Sequence, residues 1–217
     1  MDSPTSNLGP IVEKIRDHFN GKHAAREAGL PLCREAIRNC ANSIRATHRG
    51  EFDEARRLMG EARSALDRAK SALGEHPDVF YAGFVHDAQK EYAEAAITLV
   101  LASSGLLPDP DELGVTYSAY LKGMGEAVGE MRRHLLDTLR RGDVARCEEV
   151  LASMDEIYTI LITMDYPDAI TAGLRRTTDM VRGVVERTRG DLTIAYRQSE
   201  LESWMRRLQK SIEDRPQ

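Results

Sequence analysis

Apolar residues recur along the chain at intervals of three and four, with charged residues between them, and proline or glycine stands wherever that rhythm stops. Such spacing marks helices that bury one face, whereas half-buried strands would alternate every second residue. Ile11, Ile15 and Phe19 predict a first helix over residues 8–28, with Pro10 in its opening turn. Gly29 and Pro31 are expected to interrupt or kink it. Over residues 32–49, Ile37, Cys40 and Ile44 form one face, and Arg34, Arg38, Arg45 and Arg49 form the other, with His48 beside the arginines. Leu58, Ala62, Ala65, Leu66 and Leu73 predict a helix over 52–73, followed by a turn at 74–77. Residues 78–103 read as one long helix, and 104–115, holding Gly105, Pro108, Pro110 and Gly114, as the clearest loop. A helix over 116–141 follows, with Thr116 placed to cap it. Gly142 then closes it and Asp143 caps the next, over 143–165. Pro167 opens a helix to about Gly190, and Asp191 can cap a last one to about residue 212. The expectation is a single all-α domain over 1–217, about seven helices, antiparallel wherever loops are short.

The helix over 116–141 is unusual for what it tolerates. Gly123, Gly125 and Gly129 lie inside it, each costing roughly 1 kcal/mol against alanine. Gly125 and Gly129 are four apart and predict a bare face that another backbone or a ligand can approach. Glu126 and Glu130 are also four apart, on a neighbouring face, where like charges repel. A helix carrying both burdens is expected to have a reason outside its own stability.

The preceding helix carries Asp87, Glu91 and Glu94 on one side, at spacings of four and three. If the two faces meet across the short loop, Glu91, Glu94, Glu126 and Glu130 converge. Like charges about 5 Å apart repel by roughly 3 kcal/mol at an effective dielectric near 20, so such a cluster calls for protonation or a cation. Oxygen ligands without Cys or His suit Mg²⁺, or Mn²⁺, rather than zinc. A di-iron bundle needs paired Glu-x-x-His motifs, which this chain lacks. The alternative is that the acids merely decorate solvated faces. Lys90 and Arg132 flank the acids and are candidates for phosphate contact, although Lys90 is equally placed to bridge Glu94 four residues on. The stripe Arg34, Arg38, Arg45 and Arg49 can track a phosphate backbone or be an ordinary solvated face. Tyr81, Tyr92, Tyr117 and Tyr120 can stack bases, though core packing is the commoner use.

Composition narrows the picture. The 41% hydrophobic and 30% charged content is that of a globular protein, and the 6% aromatic content argues against a β-sandwich or barrel. The net charge of −5 conceals a split, +3 over residues 1–73 and −8 over the rest, which leaves room for a local basic face. No apolar run is long enough for a membrane span, and the polar start lacks a secretion signal core. Cys33, Cys40 and Cys147 show no C-x-x-C spacing and read as buried thiols, so a cytoplasmic location is expected.

With these residues in view, the chain resembles the translin family, specifically the translin-associated factor X branch, over about residues 34–197. The stretch Tyr120-Leu-x-Gly123-x-x-Glu126-x-x-Gly129-Glu130-Met-Arg132 is similar to the family's Y-L-x-G-x-x-D-x-x-G-E-L-x-R. Glu91-Tyr92-Ala93-Glu94-Ala95 is similar to that branch's E-Y-x-E-A, and Gly142-Asp143 falls where the family has Gly-Asp. The resemblance implies a seven-helix fold, a hollow closed homo-oligomer, usually an octamer, and single-stranded RNA or DNA bound inside it. For the factor X branch it implies Mg²⁺-dependent endoribonuclease activity from carboxylates matching Glu91, Glu94, Glu126 and Glu130. One departure stands out: Glu126 occupies the family's aspartate position, keeping the charge on an arm one methylene longer. Binding without chemistry, and a plain helical scaffold, are the competing readings. In the scaffold reading Ile194, Leu201, Trp204, Met205 and Leu208 form an assembly surface or an internal core.

Overall fold

The computed structural model describes residues 4–213, so residues 1–3 and 214–217 of the expected domain lie outside the described residues. It is 85% helical, with no strand among the described residues. The elements are α1 (Leu8–His48), α2 (Phe52–Leu73), α3 (Pro77–Phe80), α4 (Gly83–Ala102), α5 (Pro110–Leu113), α6 (Tyr117–Arg140), α7 (Val144–Thr163), α8 (Asp168–Thr171) and α9 (Leu174–Glu213). Among the described residues, no helix is long and apolar enough to cross a membrane.

The all-α expectation holds, and the differences lie in where helices break. Gly29 and Pro31 do not interrupt α1, which runs 41 residues with Pro31 inside it. An internal proline costs about 3 kcal/mol, and tertiary packing offsets it here. Gly29, Cys33 and Ala36 are buried, and a Cβ on Gly29 would lie 2.9 Å from Leu73 at the end of α2. The glycine is therefore the point where α2 presses against α1. Gly190 and Asp191 do not divide α9 either. Val181, Val184, Val185, Thr188 and Leu192 form one buried face across that point, so the packed stripe overrides the local stop signal. The reverse error occurs at Ala82, whose extended backbone (ψ 155°) separates α3 from α4. Asp143 caps α7 as expected, accepting from the Arg146 backbone N–H at 3.1 Å. Thr116 does not cap α6 through its side chain; its hydroxyl donates to Gln89 Oε1 at 3.2 Å instead.

Helix α6 is the hub. It packs on α4 along one side and on α7 and α9 along the other, while α1 packs on α2 and α4. The main core gathers Cys40 and Ile44 of α1, Ile97 of α4, Met131 and Leu135 of α6, Met154 of α7 and Val181 of α9. Two ends leave this body. Leu8, Ile11, Ile15 and Phe19 of α1 are exposed, as are Ile194, Leu201, Trp204, Met205, Leu208 and Ile212 of α9. The helical periodicity there is real, and among the described residues no part of the chain covers those faces.

Candidate functional site: a carboxylate cluster between α4, α6 and α1

The approach of α4 to α6 is set by Gly123. A Cβ at that position would lie 2.6 Å from the Lys90 carbonyl oxygen and 2.8 Å from the Glu94 backbone nitrogen. The two backbones thus meet without a side chain between them, at the level of the acids. Gly125 serves a different neighbour, the Thr177 methyl of α9, and Gly129 faces open space. The expected bare Gly125–Gly129 face is therefore two separate features.

The close crossing brings Glu91, Glu94 and Glu126 together, with one carboxylate oxygen of each lying within 4.8 Å of the others. Glu94 is buried. Burial first, then the charges of Glu91, Glu126 and Glu130, push its carboxyl up to about 8. Of the four acids expected to converge, Glu91, Glu94 and Glu126 do and Glu130 lies outside the trio, and the electrostatic strain falls mainly on Glu94. Asp87, on the same side of α4, is exposed and outside the cluster.

Lys90 and His48 answer the acids. The Lys90 ammonium donates to Glu126, 2.7 Å from Oε2 and 2.9 Å from Oε1, and lies 3.3 Å from Glu91 Oε1. The i,i+4 pairing with Glu94 does not form; Lys90 reaches across the helix interface instead. Glu130 stands one turn further along α6 and meets His48 of α1, Nε2 to Oε2 at 2.5 Å. That hydrogen bond holds the Glu130 carboxyl below its ordinary range, against the opposing effect of burial. The His48 side chain is only 4% exposed, and its Nδ1 is buried without a hydrogen-bond partner. Cys40 lies under the same acids: burial raises its thiol pKa far above the usual range, and Glu91 and Glu94 raise it further.

Other candidates separate in space. Arg34, Arg38 and Arg45 are exposed on α1 and Arg49 is exposed at its C-terminal cap; Arg45 donates to Asn42 at 2.7 Å and Arg49 to Glu51 at 2.6 Å. Arg132 faces away from the acids and ties α6 to α9, donating to Thr188 at 3.0 Å and Asp191 at 2.7 Å. Its neighbour Arg133 is exposed, and its charge acts on Glu130. Arg133 is therefore the arginine beside the cluster. The family pattern ends L-x-R, and counting on from Glu130 puts that arginine at 133. His48 had a signal too: Cys40, Ile44 and His48 are successive steps of four along the buried face of α1. Of the tyrosines, Tyr92 and Tyr120 are buried, and the Tyr120 hydroxyl donates to the Pro108 carbonyl at 2.7 Å, while Tyr81 and Tyr117 are exposed.

An oxygen-rich cluster between α4 and α6, which run the same way, with His86 near the start of α4 meeting Ser118 near the start of α6, is bordered by a lysine and a histidine–glutamate pair, an arrangement suited to a hard cation. Comparisons with known proteins place the chain. No protein-family model matches it. An uncharacterised protein of Methanocaldococcus jannaschii is 28% identical over 195 residues, 89% of this chain and 86% of that protein. The solved structure of AfC3PO with duplex RNA is 33% identical, with TM-score 0.77, covering 85% of this chain and 96% of that one. AfC3PO alone gives 32% identity and the same TM-score. Apo-NeC3PO, at 18% identity and TM-score 0.70 over 90% of this chain, shares the fold. The chain belongs to the translin family, in its factor X-like branch.

Proposed function

We propose that the protein is a metal-dependent endoribonuclease that binds RNA within a homo-oligomeric shell, octameric by the family resemblance. The observation that carries this reading is the packing of Glu91, Glu94 and Glu126 within 4.8 Å, with the Glu94 carboxyl pushed up to about 8. Such a site is poorly compensated by Lys90, and its donors are the hard oxygens that Mg²⁺ or Mn²⁺ takes. Glu91, Glu94 and Glu126 would hold the cation, and Glu130 would complete the set. The bound cation would supply an activated water and offset charge building on the phosphate. His48 keeps Glu130 ionised and fixed in orientation. Gly129, exposed beside Glu126, leaves that surface of α6 free of a side chain, so a phosphodiester can come close to Glu126. Arg133 is placed to take a phosphate oxygen there, and the α1 arginine stripe to follow the strand beyond. Support for an RNA substrate comes from the similarity to AfC3PO, whose structure was solved with duplex RNA.

A second reading, binding without cleavage, draws support from one observation: Lys90 already answers Glu126 and Glu91. Labelled single-stranded and duplex RNA, incubated with Mg²⁺, with Mn²⁺ and with excess EDTA, separate the two. Cleavage that needs the metal and is lost in Glu94→Gln supports the nuclease. Tight binding with no cleavage in either metal overturns it.

A further inference from the structure

We propose that the Lys90 ammonium is a built-in occupant of the carboxylate cluster, competing with the divalent cation for Glu126 and Glu91 and so holding the metal affinity of the site down. The inference rests on the metal-site reading above and adds its regulation. Lys90 straddles two of the three converging acids: both Glu126 oxygens, at 2.7 and 2.9 Å, and Glu91 Oε1 at 3.3 Å. Its side chain is only 16% exposed, so this is not a loose surface pair of the kind that contributes little.

Direct ligation of Mg²⁺ needs carboxylate oxygens at about 2.0–2.1 Å in near-octahedral order. Both Glu126 oxygens already face an ammonium at hydrogen-bonding distance. A divalent ion at the same oxygens would meet a like charge within a few ångströms, so the two occupants exclude one another. The backbone cannot yield to admit both, because the Lys90 carbonyl is pressed against Gly123 of α6. Only the side-chain torsions are free, and the lysine must swing out as the cation enters. Its flexible four-carbon arm then carries three donors able to meet a phosphate oxygen. Metal entry and phosphate capture are thereby linked through one residue.

The test uses the full chain and Mn²⁺ alone as probe, with affinity read by calorimetric titration and by the electron paramagnetic resonance of free Mn²⁺. Lys90→Met removes the competitor and is expected to bind Mn²⁺ at least about tenfold more tightly than the parent, while Lys90→Arg, which keeps the charge, stays near the parent. Should Lys90→Met fail to fold, Lys90→Gln gives the same comparison, since it can still donate to Glu126. Equal or weaker Mn²⁺ binding in the uncharged variant, with measurable binding in the parent, overturns the competition and leaves the metal site standing. Absence of Mn²⁺ binding in every variant, the parent included, overturns both.

Discussion

Each acid of the cluster has its own electrostatic fate, and spacing alone does not assign it. By sequence, Glu126 sits in a crowd of like charges, so its neutralisation should relieve repulsion. The structure moves that expectation to Glu94, because Glu126 has Lys90 as partner, whereas Glu94 is buried with its carboxyl pushed up to about 8 from 4.5. A glutamate held above its unfolded value is protonated more firmly when folded. Below the unfolded value it is neutral in both states and costs nothing. As pH rises towards 8 the unfolded state ionises first, stability falls, and the penalty is complete above the folded value. Its size is on the order of a few kcal/mol. Glu130 works the other way: His48 depresses its pKa, so its contribution is present above the ordinary glutamate range and is lost on acidification. Glu94→Gln, measured by urea unfolding with EDTA present, should therefore match the parent near pH 4 and below, and exceed it near pH 8.5. No gain at the higher pH would mean that Glu94 is not the strained acid. Glu126→Gln should show no such gain, and some loss, since it leaves Lys90 half-answered. The four acids were legible because helical spacing determines which side chains share a face. The His48–Glu130 and Lys90–Glu126 pairings were not, because both depend on which helices touch.

Helix positions were legible where the apolar stripe and the punctuation agreed, as over α2 and α7. They were misread where a buried face continued through a stop signal, at Gly29–Pro31 in α1 and Gly190–Asp191 in α9. The three glycines of α6 show the same limit, since one local cost serves three ends. Gly123 admits the α4 backbone, Gly125 admits Thr177, and Gly129 meets nothing within 4 Å. This separation makes an internal control. Gly123→Ala drives a methyl group onto the Lys90 carbonyl and Glu94 nitrogen, which are backbone and cannot rotate away. It should cost roughly 1–3 kcal/mol by overpacking despite the helix propensity gained, and should weaken Mn²⁺ binding by spreading the acids. Gly129→Ala should instead stabilise by up to about 1 kcal/mol, and if the bare surface serves phosphate approach, RNA cleavage should fall while the melting temperature rises. Equal stability of the two variants would remove Gly123 as the contact that sets the α4–α6 crossing.

For the molecule as a whole, the +3 of residues 1–73 is carried partly by the exposed α1 arginines, while the cluster that would act on phosphate is acidic. Capture and chemistry are thus divided between surfaces. Charge reversal at Arg34 and Arg38 should weaken RNA binding alike for all sequences and flatten the fall of log affinity with log salt, as lost phosphate contacts release fewer counterions. Unchanged affinity and slope would make the stripe a solvated face. The exposed ends concern assembly. Ile194, Leu201, Trp204, Met205, Leu208 and Ile212 line one side of a helix that has left the core, and Trp204 is 66% exposed. Apolar helix faces of that length are more often covered by another chain than left in water. Both ends project from the body, so contacts made there can join copies without closing over the acids. Light scattering at micromolar concentration should therefore give a mass several-fold above the 24.3 kDa chain. Leu201→Glu combined with Leu208→Glu should reduce that mass while keeping the helical circular dichroism, because neither side chain touches the core. If RNA is held inside a shell, the smaller species should also lose RNA affinity while still binding Mn²⁺ at the cluster, which lies within one chain. A parent protein that runs as a monomer would refute the shell, and a smaller variant that binds RNA as well as the parent would put the RNA site on the single subunit.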